Sequence, residues 1–154
     1  MAVRRWDLSV GLHEARGALD VDLRVSGHSM QVVTTHLGLW PRERSVQTER
    51  LLKLFVANRH DVTILMGDFN EWQVQGKALQ GLSRVFGATS APATFPARCP
   101  FLPLDRVWMT PAQALHRVAV HDTPLSRVAS DHLPIKADIY LLQGSAPPTR
   151  SPVV

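Results

Sequence analysis

The chain of 154 residues has one cysteine, Cys99, so no disulfide can form within it. That fits a reducing compartment, and the expected location is the cytoplasm. Lysine is nearly as scarce, with Lys53, Lys77 and Lys136 the three among 17 basic residues. No apolar run approaches the length of a membrane span. The arginines near the N-terminus are not followed by the apolar stretch of a secretory signal. Basic clusters are missing too. The net charge is +4, but the arginines are scattered, which reads as a mildly basic solvated surface rather than a nucleic-acid footprint. What is present is a 45% hydrophobic composition, too apolar for a disordered chain and sufficient for one domain with a buried core.

Leu19 to Ser26 alternates apolar and polar residues, the pattern of a half-buried strand. Gly27-His28 reads as a turn and Met30 to His36 as a second strand, together a hairpin. Val3 to Val10 is expected to be a further strand. Pro41 stands where a helix can begin, and Arg42 to Asn58 reads as an amphipathic helix. Its apolar face would carry Val46, Leu51, Leu52, Leu54 and Phe55, with Glu43, Arg44, Gln47, Arg50 and Lys53 on the rest. Val62 to Met66 is a continuous apolar run, a strand buried on both faces. A short helix is expected over Glu71 to Leu82 and a proline-rich loop over Phe86 to Pro103. Strands follow at Leu104 to Met109, at Ala114 to Val120, and from Ile135 through Ala137 and Ile139 to Leu141, with a loop at Asp122 to Asp131. Residues 1–142 read as one domain and 143–154 as a disordered tail. The expected class is α/β (α+β), a mixed and mostly antiparallel sheet with helices on one face.

Polar residues gather at the strand ends. His36 closes one strand, Asp68 and Asn70 follow another, Asp105 opens a third, and Asp131 and His132 precede the last. Adjacent strands of one sheet would bring these ends together. Carboxylates and carboxamides suit a hard cation such as Mg²⁺, which keeps several waters and binds phosphate oxygens. A histidine held by a carboxylate adds proton transfer or a charged contact to phosphate. Each residue also has a plain reading taken alone. Gly67-Asp68 can be a turn, and Asn70 a cap for the segment Glu71 to Leu82. Asp105 can pair with Arg106, and His36 can be a satisfied sheet histidine.

Four strings occur in order: T-T-H-L-G at Thr34–Gly38, G-D-F-N at Gly67–Asn70, L-D-R-V at Leu104–Val107 and S-D-H-L-P at Ser130–Pro134. Together they resemble the endonuclease/exonuclease/phosphatase superfamily, the group of DNase I and the exonuclease III type nucleases. The resemblance implies half of a four-layer α-β-β-α sandwich and a phosphoric ester hydrolase dependent on Mg²⁺ or Mn²⁺. It gives His36 a phosphate contact or leaving-group protonation, Asp68 the attacking water with a metal nearby, and Asn70 a phosphate oxygen. Asp105 would orient His132, His132 would act as base or phosphate contact, and Asp131 would sit by the metal. The implied reaction is in-line attack of water on a phosphodiester or phosphomonoester. Nucleic acid, phospholipid head groups and small molecules all stand as substrates. The strings G-D-F-N-E-W and T-F-P-A-R resemble bacterial members of unassigned substrate. Trp40 and Trp72 could line a substrate groove or pack under the sheet edge, and Arg106 reads as a structural partner. His13, His28, His60, His116 and His121 have no family counterpart and are expected to face solvent.

The first half of the family pattern has no match. Nothing before Thr34 resembles the Asn strand or the metal-binding Glu strand, and Glu14 and Glu71 are poor substitutes. The expectation is a chain lacking the N-terminal half, with its sheet face exposed and in need of a partner segment or of self-association. A misassigned gene start would produce this. A non-catalytic remnant or partner-dependent binding module is the competing expectation.

Overall fold

The computed structural model describes residues 1–56, 60–73 and 76–141. The strands are β1 (Ala2–Asp7), β2 (Gly17–Val25), β3 (His28–His36), β4 (Val62–Asp68), β5 (Asp105–Thr110), β6 (Leu115–Val120) and β7 (Ile135–Ile139). The helices are α1 (Pro41–Leu52), α2 (Lys77–Phe86) and the short α3 (Ser126–Ala129). Strands β1 to β5 form one sheet in sequence order, antiparallel except for the parallel β3–β4 pair. This is the expected mixed, mostly antiparallel sheet. The tail expected at 143–154 lies outside the described residues, as does the end of the helix expected at Asn58. None of the described helices is long and apolar enough to cross a membrane.

The β2–β3 hairpin turns at Ser26 and Gly27, with Val25 opposite His28. Both turn residues have positive φ, 49° and 87°. That is the primed two-residue turn whose twist matches the flanking strands, and Gly27 meets its demand without steric cost. A one-residue slip would turn every side chain of β3 to the wrong face. As built, Val33 on β3, Leu65 on β4 and Trp108 on β5 point to the helix side, packed with Leu51, Phe55, Leu79, Leu82 and Phe86.

Helix α1 departs from its expected face. Its first turns bury Glu43, Arg44, Gln47 and Thr48, whereas Val46 is exposed. Hydrogen bonds to the loops after β3 and β4 decide this, as shown below. Helix α2 is displaced from Glu71–Leu82 to Lys77–Phe86. Phe86 completes the stripe of Ala78, Leu79 and Leu82 and meets Phe55 edge-on, 4.9 Å between centroids. The expected loop therefore begins after the helix, at Gly87.

The last two strands do not join the main sheet. β6 and β7 pair antiparallel as a separate ribbon. Leu115, Ile139 and Leu141 pack on Met30, Val62 and Met109 at one end of the face opposite the helices. The rest of that face is open, with Val3, Leu19 and Met66 exposed. Between Ile64, Met66 and Val107 on the sheet and Ile135, Ala137 and Ile139 on the ribbon runs a largely apolar cleft of about 370 Å³.

Candidate active site

Strand register places the first three site residues in a row. His36 on β3 pairs with Asp68 on β4, and Asp68 pairs with Asp105 on β5. All three share the face of Met66 and Val107, away from the helices, because side chains alternate along each strand. The close pairing of β3 and β4 depends on Gly67. A Cβ there would lie 1.9 Å from the Thr35 carbonyl oxygen, and its φ of 143° disfavours any side chain.

Asn70 follows in a left-handed conformation, φ 50°, which Asn tolerates better than most residues. Its N–H donates to Asp68 Oδ1 at 2.8 Å, and its Nδ2 donates to the Leu37 carbonyl at 2.8 Å. Helix α2 begins far downstream, after Gly76, so Asn70 is no helix cap. It ties the loop after β4 to the loop after β3.

Asp131 and His132 arrive by another route, since no strand of the main sheet carries them. The Ala97 N–H donates to the Asp131 carbonyl at 2.7 Å, and the Leu133 N–H donates to the Thr94 carbonyl at 2.9 Å. The loop 94–97 thus grips the S-D-H-L-P segment on both sides of His132. Phe95 lies against the His132 ring, 4.9 Å between centroids. His132 Nδ1 is 2.8 Å from Asp105 Oδ2, which also accepts from Thr94 Oγ1 at 2.6 Å. His132 Nε2 then faces Asp68 Oδ2 at 3.7 Å, and His36 Nε2 approaches the same oxygen at 3.3 Å.

The charges follow from this packing. Burial pushes the Asp68 carboxyl above the usual carboxylate range. The Asn70 N–H pulls it back, the charge of Asp105 adds to the rise, and the two imidazoles oppose it. For His132, burial works against the charged form. The hydrogen bond and charge of Asp105, with the charges of Asp68 and Asp131, outweigh it and hold the imidazole above the usual histidine range. Asp131 is exposed, with the Ser130 hydroxyl 3.4 Å from its carboxylate.

His36, Asp68, Asn70, Asp105, Asp131 and His132 therefore line one cleft of about 610 Å³, shared with Leu39, Trp72, Phe95 and Leu102. Trp72 borders this cleft, whereas Trp40 stands outside it and is exposed. Asp131 and Asp68 are hard oxygen donors. Such donors are the kind Mg²⁺ takes, which is usually held by one or two carboxylates with water and substrate oxygens completing its shell. Among the described residues no three His, Cys, Asp or Glu side chains form a fuller cage. Glu14 is exposed and paired with Arg16, and Glu71 is buried and paired with Arg44.

The pattern of apolar residues did not reveal what holds the loops. Gln47 Oε1 accepts from the Gly38 N–H at 2.8 Å, while Gln47 Nε2 donates to Glu43 at 3.0 Å. Arg44 donates to the Leu39 carbonyl at 2.5 Å and to Glu71 Oε2 at 3.0 Å. Arg106 is buried and donates to the Glu71 carbonyl at 3.4 Å, not to Asp105. The polar residues of α1 thereby lock the loop behind His36 to the loop behind Asn70. Of the remaining histidines, His60 is 3.2 Å from Asp22 and His28 is half-buried, so these two do not simply face solvent.

A family model described as "Endonuclease/Exonuclease/phosphatase family" matches residues 5–132. The uncharacterized protein YbhP of Escherichia coli (strain K12) is 35% identical over 147 residues, covering 88% of this chain and 56% of YbhP. The chain thus spans about half the length of that relative. An endonuclease/exonuclease/phosphatase from Bacteroides vulgatus superposes with a TM-score of 0.73 at 17% identity, over 92% of this chain and 66% of that one. The mannosyl-6-phosphatase Bt3783 of Bacteroides thetaiotaomicron gives 0.71 at 15%, over 91% and 66%. At such identities the two structures speak for the fold alone. With the motif order, the sheet and the family model in agreement, the chain belongs to the endonuclease/exonuclease/phosphatase family.

Proposed function

We propose that this chain is part of a hydrolase of phosphate esters that works with a divalent cation, Mg²⁺ or Mn²⁺. One observation carries the reading: His132 is clamped by Asp105 at 2.8 Å while its other nitrogen and that of His36 converge on the Asp68 carboxylate. Asp105 fixes the ring and favours its charged form, so His132 presents an N–H to a phosphoryl oxygen or to the leaving oxygen. Asp68, flanked by two imidazoles, orients the attacking water and accepts its proton. Asn70 and His36 contact phosphate oxygens, where a donor stabilises charge developing in the transition state. Asp131 and Asp68 would hold the cation, which when bound neutralises phosphoryl charge. Phosphodiesters and phosphomonoesters both fit this chemistry.

The open sheet face favours a second component of the same reading. Val3, Leu19 and Met66 are exposed beside the apolar cleft, and YbhP has chain that this one does not span. A segment covering this face, or a second copy of the chain, would bury it. The 154 residues alone are then expected to turn over at least ~10²-fold more slowly than a longer chain, as expected when an electrostatic stabiliser is missing. The test is hydrolysis of an aryl phosphodiester and an aryl phosphomonoester by the longer chain, with Mg²⁺ or Mn²⁺ and with EDTA. Asp131→Ala and His132→Ala should each abolish turnover. Turnover that survives EDTA would sink the cation's part. Full activity in the 154 residues would sink the need for a covering segment.

A further inference from the structure

A second hollow, of about 200 Å³, shares no lining residue with the catalytic cleft. It opens at the outer edge of the main sheet, where β5 is the last strand. The chain after α2 folds over that edge, and the Thr89 hydroxyl donates to the Val107 carbonyl. The hollow is lined by Phe86 and Ser90, by Trp108 and Met109 of β5, and by Leu115 to Val118 of β6. Four consecutive residues of a regular strand cannot face one space, because side chains alternate. Here the register breaks. Leu115 pairs with Ile139 and Arg117 with Asp138, so His116 is the extra residue of a bulge. Bulges re-aim side chains and recur beside functional sites.

Two donors of this hollow lack acceptors. Trp108 is 2% exposed, and its indole Nε1 is buried with no hydrogen-bond partner. An indole N–H can only donate, and when buried it is normally filled, since an unmade bond leaves its desolvation cost standing. Arg117 is exposed and has no ion pair among the described residues, although Asp138 stands opposite it in the ribbon. No carboxylate lines the hollow, while His116 and Arg117 do, so its charge favours an anion. Phe86, Met109 and Leu115 add apolar surface. The volume lies below the ~300–1,000 Å³ of drug-sized sites, which limits the occupant to a small molecule.

We propose that this hollow is a ligand site separate from the catalytic one, which takes a small aromatic or branched aliphatic carboxylate, its oxygens on Trp108 Nε1 and Arg117 and its body against Phe86, Met109 and Leu115. The site goes beyond the phosphoesterase reading and does not rest on it. It also reaches the catalytic loop. Trp108 meets Phe69 edge-on, 4.8 Å between centroids, and Phe69 lies between Asp68 and Asn70. An occupant that bonds the indole bears on the loop that holds Asn70, as an effector does.

The experiment is a titration of the full chain with benzoate at constant ionic strength, with the tryptophan indole N–H signals followed by NMR. Acetate supplies the charged head without the body, and benzyl alcohol the body without the charge. Benzoate should shift the Trp108 signal saturably and leave Trp6, Trp40 and Trp72 in place. Acetate and benzyl alcohol should each bind at least about tenfold more weakly. Arg117→Gln should weaken benzoate binding about tenfold or more, the usual weight of a hydrogen bond to a charged group. Arg117→Lys keeps the charge and should recover part of the loss. Arg117 is exposed, so neither change threatens the fold. The Asn70 side-chain amide signal should move with the same midpoint. A Trp108 signal that stays in place at millimolar benzoate overturns the proposal. So does equal movement of all four indoles, or unchanged affinity in Arg117→Gln. An Asn70 signal that stays in place while Trp108 saturates overturns the effector role.

Discussion

Arg44 and Glu71 form the most deeply buried ion pair described, with side chains 2% and 5% exposed and 3.0 Å between them. Removing one partner of such a pair leaves the other charge uncompensated, at a cost of about 3–5 kcal/mol. For a domain whose whole stability is typically ~5–15 kcal/mol, that is a large fraction. Glu71→Met leaves the Arg44 guanidinium with the Leu39 carbonyl, the Trp72 ring 6.0 Å from its centre, and a buried Nε that already lacks an acceptor. Arg44→Met leaves the Glu71 carboxylate with the Gln73 N–H at 3.1 Å and the nearby charge of buried Arg106. Each single change should therefore lower stability by about 3–5 kcal/mol, while the double change should cost far less than the sum. Urea unfolding followed by circular dichroism measures all four corners of this cycle. Asp122→Asn, which breaks the exposed Arg127–Asp122 pair, serves as the control and should change little. If either buried single variant loses less than about 1 kcal/mol, or the two losses simply add, the pair does not lock the two loops as argued.

Three further outcomes follow from single contacts. Asp105→Asn removes the charge that sustains imidazolium at His132 while keeping the shape, so the His132 pKa should fall in an NMR titration; an unchanged value would exclude the 2.8 Å contact as its cause. Gly67→Ala puts a methyl against the Thr35 carbonyl at a φ of 143° and should cost more than about 2 kcal/mol in the same urea assay; a neutral result would refute the β3–β4 register. Asp20 and Asp22 both bond Arg4, and their pKa values lie below the usual range, in Asp20 despite burial. A carboxylate lowered on folding adds stability that is full above its unfolded pKa and lost as pH falls through the folded one. Stability should thus drop below about pH 4, and Arg4→Met should flatten that drop; an equally steep acid limb in the variant would show that other groups cause it.

Much of the site could be read before the fold. T-T-H-L-G, G-D-F-N, L-D-R-V and S-D-H-L-P mark six side chains that the structure brings into one cleft. They are legible because strand ends and tight turns impose local demands, such as the glycine between Met66 and Asp68. Arg44, Gln47 and Glu71 were not legible as a unit. The apolar residues of their helix point to Val46 for the core, a position that Arg44 and Gln47 occupy instead.

The sequence by itself determined a hairpin around Gly27, although its turn lies at Ser26-Gly27 rather than at Gly27-His28, together with the apolar strand β4 and the order of the site motifs, since each rests on residues close together in the chain. Only the tertiary structure decided which polar residues go inside. Arg44 meets Glu71 across 27 positions, and His132 meets Asp105 across another 27. A polar side chain is worth burying only if a partner stands at the right distance, and that partner's position is set by strand register and loop contacts, not by neighbours in the chain. The same holds for β6 and β7, expected in the main sheet but paired as a ribbon across its far face. Their alternation specifies a strand with one apolar side, but not which surface that side will cover.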